Sequence, residues 1–168
     1  GGSICGLVGM NGAGKSTLFK ALMGFVRPSR GKILINGMGV RNAQRDQAVA
    51  YVPQNEGIDC SFPVSVWDVV MMGRYGAMNC LRIPRPSDRK AVVHALERVE
   101  LLDLADKPIG SLSGGQRKRT FLARAIAQRA SVLLLDEPFS GVDIRTEKLM
   151  AELFLQFLKE ARTILIST

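Results

Sequence analysis

Cysteine, histidine and acidic residues are all scarce in this chain. It has three cysteines, Cys5, Cys60 and Cys80, among 168 residues. An odd number without Cys-x-x-Cys spacing argues against a disulfide framework and a zinc site. Reduced thiols in a cytosolic setting are the expectation. The one histidine, His94, falls on a segment that reads as a helix and is expected at the surface or the core edge rather than as a catalyst. No stretch reaches the roughly 18 apolar residues of a membrane span, and no basic, apolar, small-residue leader opens the chain. Acids are outnumbered: 15 Asp and Glu against 23 Lys and Arg leave a net charge of +8. That surplus favours phosphate-bearing partners, nucleic acid or an anionic membrane face, without choosing among them.

What is present is ordinary globular composition, 46% hydrophobic and 23% charged. This excludes disorder by composition and collagen-like repeats. The length suits about one domain of about 150 residues. No internal repeat or low-complexity linker breaks the chain. Short apolar runs at 4–8, 132–135 and 164–166 predict buried strands, and 32–36 and 49–52 predict two more. Helices are expected over 16–23, 65–72, 88–99 (capped by Ser87), 113–130 (capped by Ser113) and 146–160. The last carries the stripe Leu149, Met150, Leu153, Phe154, Phe157 and Leu158. Apolar strands separated by helices predict an α/β fold, a parallel sheet covered on both faces.

Three motifs carry chemistry. Gly9-Met10-Asn11-Gly12-Ala13-Gly14-Lys15-Ser16-Thr17 fits GxxxxGK[ST], between a predicted strand and a predicted helix. Glycines let backbone N–H groups close on phosphate oxygens, and the helix N-terminus adds donors and partial positive charge. Lys15 can reach the β- and γ-phosphates, and the Ser16 hydroxyl suits Mg²⁺. The strand 132–135 then ends in Asp136-Glu137. Asp136 suits a Mg²⁺ partner and Glu137 a base or water-orienting group. Strand alternation is expected to send the two carboxylates apart. Leu112-Ser113-Gly114-Gly115-Gln116 lies 97 residues after Lys15 and 24 before Asp136. Its Ser and glycines ahead of a helix can form a second anion site.

This combination resembles the ATP-binding subunit of ABC transporters over essentially the whole chain. The resemblance implies a P-loop NTPase core with a parallel sheet, a small antiparallel β subdomain, and a helical lobe at about 57–128 within a single domain spanning 1–168. It implies ATP and Mg²⁺ as ligands, with Gly9, Asn11, Gly12, Ala13, Gly14, Lys15, Ser16 and Thr17 binding ATP. Ser16, Gln54 and Asp136 would hold Mg²⁺, and Glu137, Gln54 and Lys15 would act in catalysis. Gln54, in Tyr51-Val52-Pro53-Gln54, matches the family's Q-loop glutamine. Asp143, in Ser140-Gly141-Val142-Asp143, matches the D-loop aspartate that crosses between subunits. Two subunits would pair head to tail, so that Ser113, Gly114, Gly115 and Gln116 of one act on ATP held by the other. The family also has a histidine just after the strand that ends this chain, and an adenine-stacking aromatic before its start. The resemblance therefore implies an internal, truncated portion of a longer subunit, poorly active by itself.

The stretch 57–84, including Phe62-Pro63-Val64, Asp68-Val69-Val70 and Met72-Gly73-Arg74-Tyr75-Gly76, is similar to the manganese, iron and zinc importer branch. It implies import of manganese or iron, with transmembrane permease subunits, a substrate-binding protein and a peripheral place on the cytoplasmic face of the cell membrane. Cargo would be bound by other subunits. Trp67 and Met71 would either dock a permease helix or belong to the core. Basic residues cluster at Lys107, Arg117, Lys118, Arg119, Arg124 and Arg129, with no acid between 107 and 135, and again at Arg74, Arg82, Arg85, Arg89 and Lys90. They would form either solvated helix faces or a surface toward phosphates or an anionic membrane. Nucleic acid is not expected, because no interleaved aromatics accompany the charge. The alternatives are a soluble ABC ATPase acting on DNA or in translation, a non-hydrolysing nucleotide-binding module and an importer of another cargo.

Overall fold

The apolar runs become neighbouring strands of one parallel sheet. The computed structural model describes residues 2–10, 12–54 and 63–168. In chain order the described elements are β1 (Ser3–Leu7), α1 (Lys15–Leu22), β2 (Leu34–Ile35), β3 (Met38–Gly39), α2 (Val40–Arg45), β4 (Val49–Val52), α3 (Val66–Met72), α4 (Pro86–Arg98), α5 (Gly114–Gln128), β5 (Val132–Asp136), α6 (Ile144–Lys159) and β6 (Thr163–Ser167). The main sheet runs β1-β6-β5-β4, every pair parallel. Its register sets Asp136 directly beside Ser167. The two inner strands, β5 and β6, are buried on both faces, which is why their sequences are continuously apolar instead of alternating.

Side chains of successive strand residues leave on opposite faces. Ala50, Val52, Leu133, Leu135, Ile164 and Ile166 pack into one large core with residues of α3, α4, α5 and α6. Val49 and Leu134 point the other way, into a smaller cluster with Ile35 and Ala43. Phe19 of α1 is fully buried, its ring edge-on to Tyr51 at 6.0 Å between centroids.

Four helix starts are set by local chemistry. Ser65 accepts from the Asp68 N–H while the Asp68 carboxylate accepts from the Ser65 N–H, a reciprocal box at the head of α3. Ser113 and Gln116 do the same for α5. Asp143 caps α6 through the Thr146 N–H at 2.9 Å. Pro86 sits at the first position of α4, where its missing N–H costs nothing.

Several expectations need correction. The strand at 4–8 is formed as β1 but not buried; among the described strands it lies at the sheet edge with β6 as its one partner, and Ile4 is 40% exposed. The strand expected at 32–36 shrinks to Leu34–Ile35, paired with Met38–Gly39 across Asn36-Gly37. Both turn residues have positive φ, 51° and 75°, the hairpin geometry that an Asn-Gly pair favours. Helix α2 occupies what reads as a polar stretch. Helix α4 starts two residues before the expected 88, because Pro86 pre-sets the first turn and Arg85, not Ser87, is the cap residue.

Candidate nucleotide site

The loop after β1 turns sharply through Gly12 and Gly14, at φ of 86° and 91°. That left-handed region strains any residue with a Cβ. Gly14 then serves as the N-cap of α1 without a side-chain hydrogen bond, leaving the first N–H groups of the helix for another acceptor. A cavity of about 310 Å³ opens here, lined by Met10, Gly12, Gly14, Lys15, Ser16, Thr17, Gln54 and Glu137. The Lys15 ammonium donates to the Gly9 carbonyl and reaches the Met10 carbonyl at 3.5 Å. The turn is pinned by the Ala13 N–H donating to the Met10 carbonyl at 3.0 Å. Gly9 also lies in this loop, close to Ala13. Asn11 lies outside the described residues.

Asp136 ends β5 and is 5% exposed. Its Oδ2 accepts from the Ser16 hydroxyl at 3.0 Å and from the Tyr51 hydroxyl at 3.2 Å, and its Oδ1 from Ser167 at 2.5 Å. Burial of Tyr51, with the adjacent Asp136 charge and the hydrogen bond to it, pushes its phenol up to about 12. The hydroxyl therefore remains a donor throughout the physiological range. Ser167 is fully buried and works twice, since its oxygen also accepts the Glu137 N–H at 3.0 Å.

Glu137 lies beyond the end of β5, at φ 47°. The two carboxylates diverge because the backbone turns after Asp136, and not by strand alternation. The Glu137 carboxylate accepts from the Gln54 amide at 2.5 Å. Among the described residues the amide oxygen of Gln54 has no hydrogen-bond partner and can face another group. Lys118 of α5 donates to the Ser140 carbonyl and approaches the Glu137 carbonyl at 3.5 Å, so the turn 137–140 is fastened from a second side.

The segment Leu112-Ser113-Gly114-Gly115-Gln116 lies apart from the cavity lining. Ser113 and Gln116 satisfy each other as a capping box, while Gly114 faces open space and is exposed. Gly115 is buried against the head of α6: a Cβ there would stand 2.9 Å from the Thr146 hydroxyl and 3.0 Å from Asp143 Oδ2. Asp143 accepts from both the Thr146 N–H and its hydroxyl, which holds its carboxyl below the usual range. Structure thus brings Lys15, Ser16, Thr17, Gln54, Asp136 and Glu137 together at one end of the sheet. Ser113, Gly114, Gly115, Gln116 and Asp143 form a second group.

Three residues were missed as contributors to the site. Tyr51 and Ser167 are polar residues within otherwise apolar strand runs, and that interruption is the available signal. Lys118 carried no signal beyond its charge. Two of the α5 cations are drawn inward: Arg119 donates to the Val99 carbonyl at 2.9 Å, and Arg124 to that of Tyr51 at 3.4 Å, while Arg129 at the helix end is exposed. Met71 is buried and Trp67 packs half-buried against the large core, so the core reading holds for both. Cys60 and residues 55–62 lie outside the described residues.

The sequence model of the ABC transporter family matches residues 1–140. The chain belongs to this family. It is 59% identical over 167 residues to the manganese transport system ATP-binding protein MntA of Synechocystis, covering 99% of this chain and 64% of that one. It is 55% identical over 168 residues to the chelated iron transport system membrane protein YfeB of Yersinia pestis, covering all of this chain and 57% of that one. Among solved structures, a metal-chelate type ABC transporter in an inward-facing conformation superimposes with a TM-score of 0.86 at 35% identity, covering 99% of this chain and 62% of that one. The chain therefore spans somewhat under two thirds of the length of these relatives. No described helix is long and apolar enough to cross a membrane.

Proposed function

We propose that this chain is the catalytic portion of an ATPase subunit that powers import of manganese or iron. The observation that carries the reading is the pair of contacts across the cavity mouth, Ser16 to Asp136 and Gln54 to Glu137. They join the phosphate loop and the carboxylates from distant parts of the chain. Backbone N–H groups at the head of α1 and the Lys15 ammonium bind the phosphates. An oxygen-only set, the Ser16 hydroxyl, the Asp136 carboxylate and the Gln54 amide oxygen, suits a hard divalent cation. Mg²⁺, once bound, supplies positive charge at the β- and γ-phosphate oxygens. Glu137 orients the attacking water and takes its proton, with Gln54 fixing the carboxylate.

Two subunits pair head to tail, and the open face at Ser113 and Gly114 completes the partner's site. A permease docks into the groove of about 440 Å³ between the end of α1, the end of α3 and α5. Phe25, 70% exposed, and Met72 give that groove apolar anchors. The names of the relatives support manganese or iron as cargo. On this reading a substrate-binding protein delivers it. The test is cellular accumulation of manganese, iron and zinc with the full-length subunit and its Glu137→Gln variant. Loss of manganese or iron accumulation, with ATP binding retained, is expected. Unchanged accumulation of all three would overturn the cargo reading.

A further inference from the structure

The second basic cluster divides into two kinds of residue. Arg74 is turned inward: its guanidinium pairs with Asp88 at 3.0 Å and donates to the Ala127 carbonyl at 3.0 Å. Burial pushes the Asp88 carboxyl up, but the Arg85 N–H and Arg74 outweigh it and hold it below the usual range. This ion pair clasps the end of α3 to the start of α4 and the end of α5. Arg82, Arg85, Arg89 and Lys90 instead are exposed and stand in no ion pair among the described residues. Asp88 is the one acid between residues 69 and 96, and Arg74 already neutralises it.

Between the clasp and these cations lies a built turn. The Arg82 N–H donates to the Asn79 carbonyl at 2.9 Å, and the Ile83 N–H approaches the Asn79 side-chain oxygen at 3.4 Å. The Arg82 guanidinium lies over the Tyr75 ring at 5.1 Å. The turn holds two apolar side chains outward, Leu81 at 74% exposure and Ile83 at 58%. Leu and Ile presented at a tip with cations beside them match the boundary of an anionic bilayer, which takes apolar groups and pairs phosphates with Arg and Lys. An acidic protein surface with no apolar ground of its own would use the cations but would leave Leu81 and Ile83 in water.

We propose that the turn bearing Leu81 and Ile83, with Arg82, Arg85, Arg89 and Lys90, rests on an anionic lipid surface. The geometry is consistent with the permease groove described above, on which this inference rests. Met72 and Gly73 line that groove, and the Arg74–Asp88 clasp joins them directly to the base of the patch. The two surfaces therefore adjoin through this clasp.

The test is sedimentation of the chain with vesicles of phosphatidylcholine, alone or mixed with phosphatidylglycerol. Binding to the mixed vesicles alone is expected. Leu81→Ser with Ile83→Ser keeps the charge and should weaken binding by about tenfold or more. Arg82→Gln with Arg89→Gln should weaken it by about tenfold, whereas Lys32→Gln with Arg41→Gln, an exposed pair outside the turn and α4, should change it by less than about twofold. An environment-sensitive dye on Cys80, with Cys5 and Cys60 replaced by Ser, should shift to the blue only with anionic vesicles. Binding insensitive to Leu81 and Ile83, or equally sensitive to the Lys32 and Arg41 pair, would overturn the proposal. Equal capture by soluble polyglutamate, with the same dependence on Leu81 and Ile83, would overturn it in favour of an acidic protein. The groove reading fails separately: Phe25→Ser would then leave co-purification of the full-length subunit with its permease intact, whatever the vesicles show.

Discussion

The two ends of the proposed ATP machinery are built in opposite ways. At the phosphate loop, polar groups find partners far away in sequence: Ser16 and Asp136 are 120 positions apart, Gln54 and Glu137 83. At the heads of α5 and α6 they find partners three positions away, Ser113 with Gln116 and Asp143 with Thr146. The first arrangement exists only once the sheet has formed, and it encloses a cavity. The second closes on itself and leaves an open face. The phosphate-loop end is cross-linked through the core, whereas the Ser113 end is finished locally and presented outward.

Substitutions can break this contrast or sharpen it. Lys15→Ala removes the one ammonium at the cavity wall and should abolish ATP binding, measured by equilibrium dialysis or nucleotide-dependent thermal shift. Glu137→Gln keeps the shape and the contact with Gln54, so binding should survive while phosphate release falls by about 10²- to 10⁴-fold. Ser167→Ala leaves the Glu137 N–H without its acceptor and frees Asp136 Oδ1. Hydrolysis should fall about tenfold, with a stability loss of about 1–3 kcal/mol by denaturant titration. Ser167→Thr should restore much of the rate if the hydroxyl, and not volume alone, is what matters. Tyr51→Phe should raise the Mg²⁺ concentration needed for half-maximal rate and leave the pH profile of the rate unchanged below about pH 9, because the phenol ionises only near 12.

The smallest expected effect is at the other end. Ser113→Ala loses a cap, about 1 kcal/mol, and should lower the melting temperature by about 2–4 °C. ATP binding by the subunit's own phosphate loop should be unchanged. A large loss of binding in this variant would erase the distinction between the ends.

Local patterns were easier to read in the sequence than long-range pairings. The Ser113 cap, the phosphate loop and the apolar stripe of α6 are patterns within a few turns of chain, so spacing reveals them. The pairing of Asp136 with Ser167 is a register between two apolar strands, and nothing in either strand states the offset. Tyr51 was visible only as a letter in Tyr-Val-Pro-Gln. Lys118 seemed one more cation in a basic helix, because its acceptors are backbone carbonyls that carry no side-chain signature. The Asn36-Gly37 hairpin, by contrast, was legible and overlooked. Charge counting misjudged Arg74 for a physical reason: an Arg is exposed by default and is drawn inward only where a carboxylate and a free carbonyl wait together.

The close approach at Gly115 has a mechanical consequence. A Cβ there would stand 2.9 and 3.0 Å from Thr146 and Asp143, so the heads of α5 and α6 approach at a spacing that only glycine allows. Any larger residue would have to push the two heads apart, and with them the turns carrying Ser113 and Asp143.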